Sequence, residues 1–229
     1  MSKINDFLIQ NKKLIEDYID DFNSKKQFSI LNSIPIIWFG NMEEYLNSKK
    51  KVITISYQPS KIEFTNGFIV STGISLSMSN PNRVIDLSNK LNSYFATPHV
   101  NSWFNYFEKR LEHPKINASY YDIAGKNRAI HMNIYSAIAP KDDAVKEKIK
   151  NSDLAKRMVT VLDPDVVLYS ASETIREQVF SNYTHEKSES FIGKYCTASG
   201  KILLSAPCLS HPFVCMTDDE IKKSLNKLL

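Results

Sequence analysis

The sequence predicts one α/β domain, a three-layer α/β/α sandwich around a short, mainly parallel four-stranded sheet. Four short apolar runs have the length and flanking residues of buried strands and cover residues 52–55, 129–135, 165–170 and 201–206. Stretches with helical periodicity lie between these runs. Because each parallel connection needs a crossover, usually a helix, this alternation predicts a sheet with helices on both faces.

The first predicted element is an amphipathic helix over residues 3–22, which we expect to pack on the rest of the domain. Its apolar residues recur three, four and seven positions apart, which is the spacing of one helix face. They are Ile4, Phe7, Leu8, Leu14, Ile15, Ile19 and Phe22. A second helix is predicted at residues 42–48, directly before the first β-branched run.

Further helices are predicted from the same periodicity over residues 102–111, 144–162, 172–180 and 218–228. Thr217 and Glu220 have the spacing of a capping box at the start of the last helix. Residues 65–83 are rich in Ser, Gly and Asn and are predicted to form a long loop.

Length and composition favour a single cytoplasmic domain spanning residues 1–229. A chain of 229 residues with 42% hydrophobic content can bury one sizeable core. We expect no membrane partner, because no run approaches the roughly 20 apolar residues of a membrane span and the first residues do not resemble a signal peptide. The net charge of +4 permits nucleic-acid binding without requiring it.

The three cysteines, Cys196, Cys208 and Cys215, suit a reducing compartment and imply no disulfide framework. His211 lies between two of them, but the arrangement lacks the CxxC pair of a typical zinc site, and we predict no metal ion. No P-loop and no G-x-G-x-x-G fingerprint is present, so no nucleotide cofactor is expected.

Polar residues follow the predicted strands. In an open parallel sheet the ligand crevice lies outside the carboxyl ends of the strands. Tyr57, Gln58 and Ser60 follow the first strand, Asn133 lies at the end of the second, and His211 follows the fourth. These positions supply amides and a histidine, without the carboxylate pair of ordinary glycosidases or the G-x-S-x-G elbow of acyl hydrolases.

At these positions the chain resembles the uracil-DNA glycosylase superfamily, closest to its mismatch-specific and thymine-DNA glycosylase type, in order from about residue 36 to the C-terminus. Ser56-Tyr57-Gln58-Pro59 is similar to the first motif, Gly-x-Asp-Pro or Gly-x-Asn-Pro. Residues 97–104 are similar to a His-Pro-x-Asn-x-Phe-Trp segment. Ile130-His131-Met132-Asn133 resembles the strand whose Asn reads the base, and His211-Pro212 resembles the second catalytic motif.

A second alignment of the last motif is also open. It places Ala206-Pro207-Cys208-Leu209-Ser210 on the part of the motif that holds the leucine wedging into the duplex. Leu209 is then the wedge, and Ser205 stands where the histidine is expected. The spacing to the following helix favours the first alignment, in which His211 is the leaving-group catalyst.

The resemblance implies a DNA glycosylase that hydrolyses the N-glycosidic bond of a flipped, damaged or modified pyrimidine, and the lack of a lysine at a motif position indicates a monofunctional one. Gln58 in place of the family's Asp or Asn favours a modified base, which adds defence against viral modified DNA to repair as a hypothesis for its role. Asn133 is then expected to bind the base edge with a donor and an acceptor. His211 is expected to donate to the base oxygen on which negative charge develops. Gln58, where the family has Asp or Asn, can orient the attacking water but cannot accept its proton.

The remaining candidates contact the base or the DNA backbone. Tyr57, Phe64 and Phe68 are the candidates to stack on the base, with Tyr57 and Phe68 chosen as base-binding residues, and Ser60, Leu209 and Ser210 are predicted to contact DNA. Core packing is the competing interpretation for the aromatic residues Phe64 and Phe68. A buried amide satisfied by the backbone is the competing interpretation for Asn133, and His131 is interpreted as a structural strand residue.

Two other function classes fit the same residues. The first is a catalytically silent DNA-binding member of the fold, which the Gln58 departure favours. The second is a small-molecule hydrolase that uses Ser205 or Ser210 together with His211. The sequence carries no signal for an oligomeric state.

Overall fold

The fold is given by a computed structural model, which describes residues 3–25, 36–56, 64, 90–95, 129–134, 153–170, 179–181, 184–186, 193–196, 202–207, 219, 222, 223 and 226. Its helices with defined bounds are α1 (Lys3–Gln10), α2 (Lys12–Lys25), α3 (Met42–Asn47) and α4 (Leu154–Leu162). Its strands are β1 (Val52–Ser56), β2 (Ala129–Asn133), β3 (Val166–Ser170), β4 (Thr184–Glu186), β5 (Gly193–Cys196) and β6 (Ile202–Pro207). The prediction of a mixed α/β fold with a parallel sheet is confirmed.

The strands form one sheet in the order β2-β1-β3-β6-β5-β4. The pairs β2-β1, β1-β3 and β3-β6 are parallel, whereas β6-β5 and β5-β4 are antiparallel. The four segments predicted as strands correspond to β1, β2, β3 and β6, with bounds shifted by one or two residues. The sequence did not predict β4 and β5, so the sheet in the described residues has six strands instead of four.

The predicted first helix is divided into α1 and α2 at Asn11. The Asn11 side chain donates from Nδ2 to the carbonyl oxygen of Phe7 at 2.8 Å, and its backbone N–H donates to the same oxygen at 3.0 Å. A side chain that bonds to the preceding turn in this way competes with regular helix geometry. The predicted apolar face is nevertheless buried on both helices, at Phe7, Leu8, Leu14, Ile15, Ile19 and Phe22.

One face of the sheet carries the apolar core. Side chains alternate between the two faces of a strand, so Ile53 and Ile55 of β1 share a face with Ile130 and Met132 of β2 and with Val167 of β3. All five are buried in one cluster with apolar residues of α1, α2, α3 and α4. Burial of these helix faces, more than helix propensity, holds such short helices in place.

Polar contacts join the helices to one another. Glu43 of α3 accepts the backbone N–H groups of Lys3 at 3.3 Å and Ile4 at 2.9 Å, which satisfies two donors at the N-terminus of α1. Asp17 of α2 accepts from the guanidinium of Arg157 on α4 at 2.7 Å. These contacts set the position of the helices along the apolar face.

The chain before α3 covers the outer edge of β2. Phe39 pairs antiparallel with His131, through backbone hydrogen bonds of 2.8 and 3.0 Å. The next residue, Gly40, has a φ of +100°, a conformation that residues with a side chain rarely adopt. A Cβ atom there would lie 3.0 Å from the Phe95 ring and 3.2 Å from the carbonyl oxygen of Ala129.

Replacement of Gly40 by alanine is expected to lower the free energy of unfolding by about 1–3 kcal/mol, because the new methyl group adds backbone strain and overpacking. Urea denaturation followed by circular dichroism measures the change. Asn47→Ala, at the exposed end of α3, is the control and is expected to change the free energy by less than about 0.5 kcal/mol. A Gly40→Ala variant as stable as wild type would contradict this account of the turn.

Candidate functional site

The carboxyl ends of neighbouring parallel strands lie at one edge of the sheet, which we call the carboxyl edge. Ser56 of β1 is in register with Asn133 of β2 on one side and with Ser170 of β3 on the other. β2, the next strand with defined bounds after β1, lies on one side of β1. β3 and the strands that follow it in the chain, β4 to β6, lie on the other side of β1. In open α/β sheets such a reversal opens a ligand crevice outside the strand ends.

A buried polar stripe leads along β1 and β2 to this edge. It consists of Thr54, Ser56, His131 and Asn133, which lie on the face opposite the apolar core, with Thr54 beside His131 and Ser56 beside Asn133. Their exposed fractions are 2%, 6%, 2% and 2%, respectively. Polar groups buried to this extent are normally hydrogen-bonded. Their partners therefore decide what the stripe can do.

Three hydrogen bonds connect the polar stripe. Thr54 Oγ1 lies 2.7 Å from His131 Nδ1, and Ser56 Oγ lies 3.1 Å from His131 Nε2. Ser56 Oγ also donates to Asn133 Oδ1 at 2.6 Å. The four side chains thus form one continuous chain that begins inside the sheet and ends at the carboxyl edge with the Asn133 amide.

The His131 imidazole, which lies in the middle of this series of hydrogen bonds, is neutral near pH 7. Burial lowers its pKa from 6.5 to about 3, and the interaction with the Asn133 side chain acts in the opposite direction. The Phe39 ring lies against the imidazole, with 5.8 Å between ring centroids. An acid–base catalyst works best with a pKa near the working pH. The position and pKa of His131 agree with a structural role, as the sequence interpretation held.

The Asn133 amide is the last group in this series of hydrogen bonds, and its N–H donor is unsatisfied among the described residues. Its Nδ2 atom is buried and has no hydrogen-bond partner among the described residues. A buried polar atom without a partner typically costs about 1–3 kcal/mol, so such atoms are rare and often mark a ligand position. The amide oxygen is bonded by the Ser56 hydroxyl instead of the backbone. This geometry differs from the competing interpretation of Asn133, in which backbone groups alone form the hydrogen bonds of its side-chain amide.

Other buried polar atoms without partners in the described residues differ in position. They belong to Tyr18, Trp38 and Asn92. Tyr18 lies within α2, and neither Trp38 nor Asn92 is part of a strand with defined bounds. Asn133 is therefore distinguished by its place at the carboxyl end of a parallel strand.

Of the predicted site residues, Asn133 lies within the described part of the chain. Gln58, His211, Tyr57, Phe68, Ser60, Leu209 and Ser210 lie outside the described residues. β1 ends two residues before Gln58, and β6 ends four residues before His211. Since β1, β3 and β6 are parallel, both segments start from the carboxyl edge. Phe64 is buried, in agreement with its interpretation as a core residue.

Sequence reasoning missed the contribution of Thr54 and Ser56. The resemblance to the first motif aligns Ser56 with a glycine, which has no side chain, whereas the Ser56 hydroxyl bonds to both His131 and Asn133. A signal was present, because the pattern Thr-x-Ser in β1 and His-x-Asn in β2 puts polar residues on alternate positions of otherwise apolar strands. The pairing between them depends on strand register, which the sequence does not display.

Metal-binding clusters and membrane-spanning helices are both absent from the described ranges of the chain. These ranges contain no group of three or more His, Cys, Asp or Glu side chains placed to hold a metal ion. None of their helices combines the length and apolar character that a membrane crossing requires. Cys196 lies in β5, while Cys208 and Cys215 are outside the described residues.

Comparison with known proteins assigns no family to the chain. No protein-family model matches it, and no curated protein matches it significantly.

Proposed function

We propose that the chain is a monofunctional DNA glycosylase that removes a flipped, damaged or modified pyrimidine and leaves an abasic site. The observation that carries the proposal is the buried Nδ2 of Asn133 at the carboxyl edge of a parallel sheet, which has no hydrogen-bond partner among the described residues. A donor in this position suits recognition of a base in a pocket, because base-excising enzymes read the flipped base through hydrogen bonds to its edge. The order of the motifs around β1, β2 and β6 adds independent support.

The proposal includes a three-layer arrangement with the site at the edge of the middle layer. All five residues of β1 and all five of β2 are buried, which supports coverage of both faces of these strands. The helices α1 to α4 pack on one face. In the proposal, further helices cover the face that bears the polar stripe.

Each proposed role follows from the chemistry of base excision. The bond between C1′ of the sugar and the base nitrogen breaks, and the base leaves with the electron pair of that bond. Water adds to C1′ as a hydroxyl group, and the proton that the water loses passes through solvent to the departed base. Asn133 holds the base, Gln58 orients the water, and His211 donates to the base oxygen as negative charge builds up. Tyr57 and Phe68 stack on the base, while Ser60, Leu209 and Ser210 contact the DNA.

A panel of oligonucleotides tests the proposal. Single- and double-stranded DNA carrying uracil, mismatched thymine, hypoxanthine or a modified cytosine is incubated with the protein, and abasic sites are revealed by hot alkali. We expect strand cleavage at one or more of these bases after alkali, and none before it, because no motif position offers a lysine for Schiff-base chemistry. Absence of base release from the whole panel would contradict a glycosylase.

A catalytically silent DNA-binding protein is the second candidate, favoured by Gln58, whose amide cannot act as a general base. It predicts binding to abasic or single-stranded DNA without release of any base. It also predicts that His211→Ala binds this DNA as tightly as wild type. Gel-shift measurements with both proteins on the same abasic duplex distinguish this candidate from the glycosylase.

A further inference from the structure

Ser170 lies at the carboxyl edge and has no role in the proposed function as stated so far. It is the last residue of β3 and is in register with Ser56, which is in register with Asn133 on its other side. Residues in register on neighbouring parallel strands lie on the same face of a sheet. Asn133, Ser56 and Ser170 therefore form one row of polar residues across the ends of three adjacent strands, which we call the edge row.

The position of Ser170 within β3 sets it apart from the rest of that strand. The other residues of β3 on the same face, Val166 and Leu168, are apolar, and Val166 is fully buried. On this face of β3 a hydroxyl group therefore occurs only at the carboxyl edge. The strand order reverses between β1 and β3, so Ser56 and Ser170 flank the ligand crevice expected at that point.

The length of the edge row suits a nucleotide. Neighbouring strands are about 4.8 Å apart, so two spacings separate Asn133 from Ser170 by about 10 Å. This distance is comparable to the reach of a nucleotide from the edge of its base to its phosphate. A nucleotide that lies along the row with its base at Asn133 brings its sugar and phosphate to β3. Ser56, in the middle of the row, is already bonded to His131 and Asn133.

We propose that Ser170 is a binding residue that donates a hydrogen bond to the sugar–phosphate part of the nucleotide whose base Asn133 holds. This statement rests on the proposed function, in which the ligand is a flipped nucleotide. Serine hydroxyls are frequent donors to phosphate oxygens, and such contacts position the nucleic acid without reading its sequence. The two ends of the edge row then have separate tasks, since Asn133 binds the base and Ser170 binds the DNA backbone.

A duplex that carries tetrahydrofuran, a stable analogue of an abasic site, separates the two tasks, because it keeps the backbone and lacks the base. Fluorescence anisotropy gives the dissociation constant of this duplex for each variant. We expect Ser170→Ala to weaken binding about tenfold, from the typical contribution of one hydrogen bond to a charged group. Asn133→Leu is expected to bind within about twofold of wild type, since this DNA offers no base for residue 133 to contact.

The kinetics of base release give a second measurement. A contact that is equally strong in the bound substrate and in the transition state changes KM and leaves kcat unchanged. We therefore expect Ser170→Ala to raise KM about tenfold and to keep kcat within about twofold of wild type. A fall in kcat with unchanged KM would contradict a contact that only positions the backbone.

Two variants of equal size at the same position control for changes in packing. Ser170→Thr retains a hydroxyl group and is expected to bind the tetrahydrofuran duplex nearly as well as wild type, whereas Ser170→Val lacks the hydroxyl and is expected to bind it as weakly as Ser170→Ala. Ser24→Ala removes an exposed hydroxyl, which donates to the carbonyl oxygen of Asp21 at 2.7 Å, and is expected to leave binding unchanged. Urea denaturation verifies that each variant is folded.

The outcomes distinguish this inference from the proposed function. Wild-type affinity of Ser170→Ala for the tetrahydrofuran duplex overturns the inference, and so does equal binding by Ser170→Thr and Ser170→Val. If wild type binds the duplex but releases no base from any substrate, the glycosylase fails, while weaker binding by Ser170→Ala still supports the backbone contact. If wild type does not bind the duplex at all, both proposals fail.

Discussion

Lowering the pH from about 6.5 to about 5 is expected to reduce the free energy of unfolding by about 2 kcal/mol through His131 alone. The imidazole is buried among Thr54, Ser56 and the Phe39 ring, and burial lowers its pKa from 6.5 to about 3. In the unfolded chain the same histidine titrates near its ordinary pKa. Protonation therefore favours the unfolded state.

The sign and the pH window follow from these two pKa values. Above pH 6.5 the histidine is neutral in both states, so its contribution to stability is fully present. Between 6.5 and about 3 the unfolded chain binds a proton that the folded protein does not, and stability falls as the pH falls. Each unit by which the pH falls in this window lowers the free energy of unfolding by about 1.4 kcal/mol. Below the folded pKa both states are protonated and the loss stops.

Urea denaturation at a series of pH values, for wild type and for His131→Gln, measures this term. The glutamine side chain can still donate and accept hydrogen bonds but does not titrate. The contribution of the carboxylates is common to both proteins and cancels in the difference. We expect the difference in free energy of unfolding to change by about 1.4 kcal/mol per pH unit below pH 6, and parallel pH profiles would contradict a buried neutral His131.

Replacement of Asn133 by leucine is expected to reduce base release by about 100- to 1000-fold while leaving the fold almost as stable as wild type. The loss of activity is the one expected when the base is no longer held in position for bond cleavage. The stability argument depends on two opposing terms. The variant loses the hydrogen bond from Ser56, but it also removes a buried Nδ2 that has no described partner.

The two stability terms nearly cancel. A neutral hydrogen bond contributes about 1 kcal/mol, and an unsatisfied buried donor costs about 1–3 kcal/mol. We therefore expect a change of less than about 2 kcal/mol in the free energy of unfolding, in either direction. A residue kept for folding alone would behave differently, because its loss would destabilise the protein and leave chemistry unchanged.

Single-turnover base release and urea denaturation of the same preparation test this prediction. Met132→Leu is the matched control, since Met132 is the neighbouring residue in β2 but its side chain lies in the apolar core on the other face. It is expected to keep base release within about twofold, because such volume-conserving changes are well tolerated. Wild-type base release by Asn133→Leu would remove Asn133 from the site.

The central strands were predictable because their signal is local. Residues 52–56, 129–133 and 166–170 are apolar runs that read as buried strands without knowledge of their neighbours. β4 and β5 have the sequences Thr-His-Glu and Gly-Lys-Tyr-Cys, which are short and mostly polar. Their strand conformation depends on the pairing of β5 with β6 and of β4 with β5, a tertiary effect that local patterns do not record.

A polar residue at the carboxyl end of β2 was predictable from the sequence, but its hydrogen-bond partners were not. The rule for carboxyl ends of parallel strands nominated Asn133 from the sequence. The contacts of Ser56 with His131 and Asn133 join residues 75 and 77 positions apart, and they require the register of β1 against β2. The division of the first helix at Asn11 was also not predicted, because the periodicity of apolar residues continues from α1 into α2.

The proposed function requires Gln58, Asn133 and His211 to converge on one buried nucleobase at the carboxyl edge. A crystal structure of the protein bound to a duplex that carries a non-hydrolysable nucleotide analogue tests it most directly. We predict that the flipped base accepts a hydrogen bond from Asn133 Nδ2, with Gln58 and His211 on either side of the glycosidic bond. A base bound elsewhere, or these three side chains on separate faces of the protein, would contradict the account.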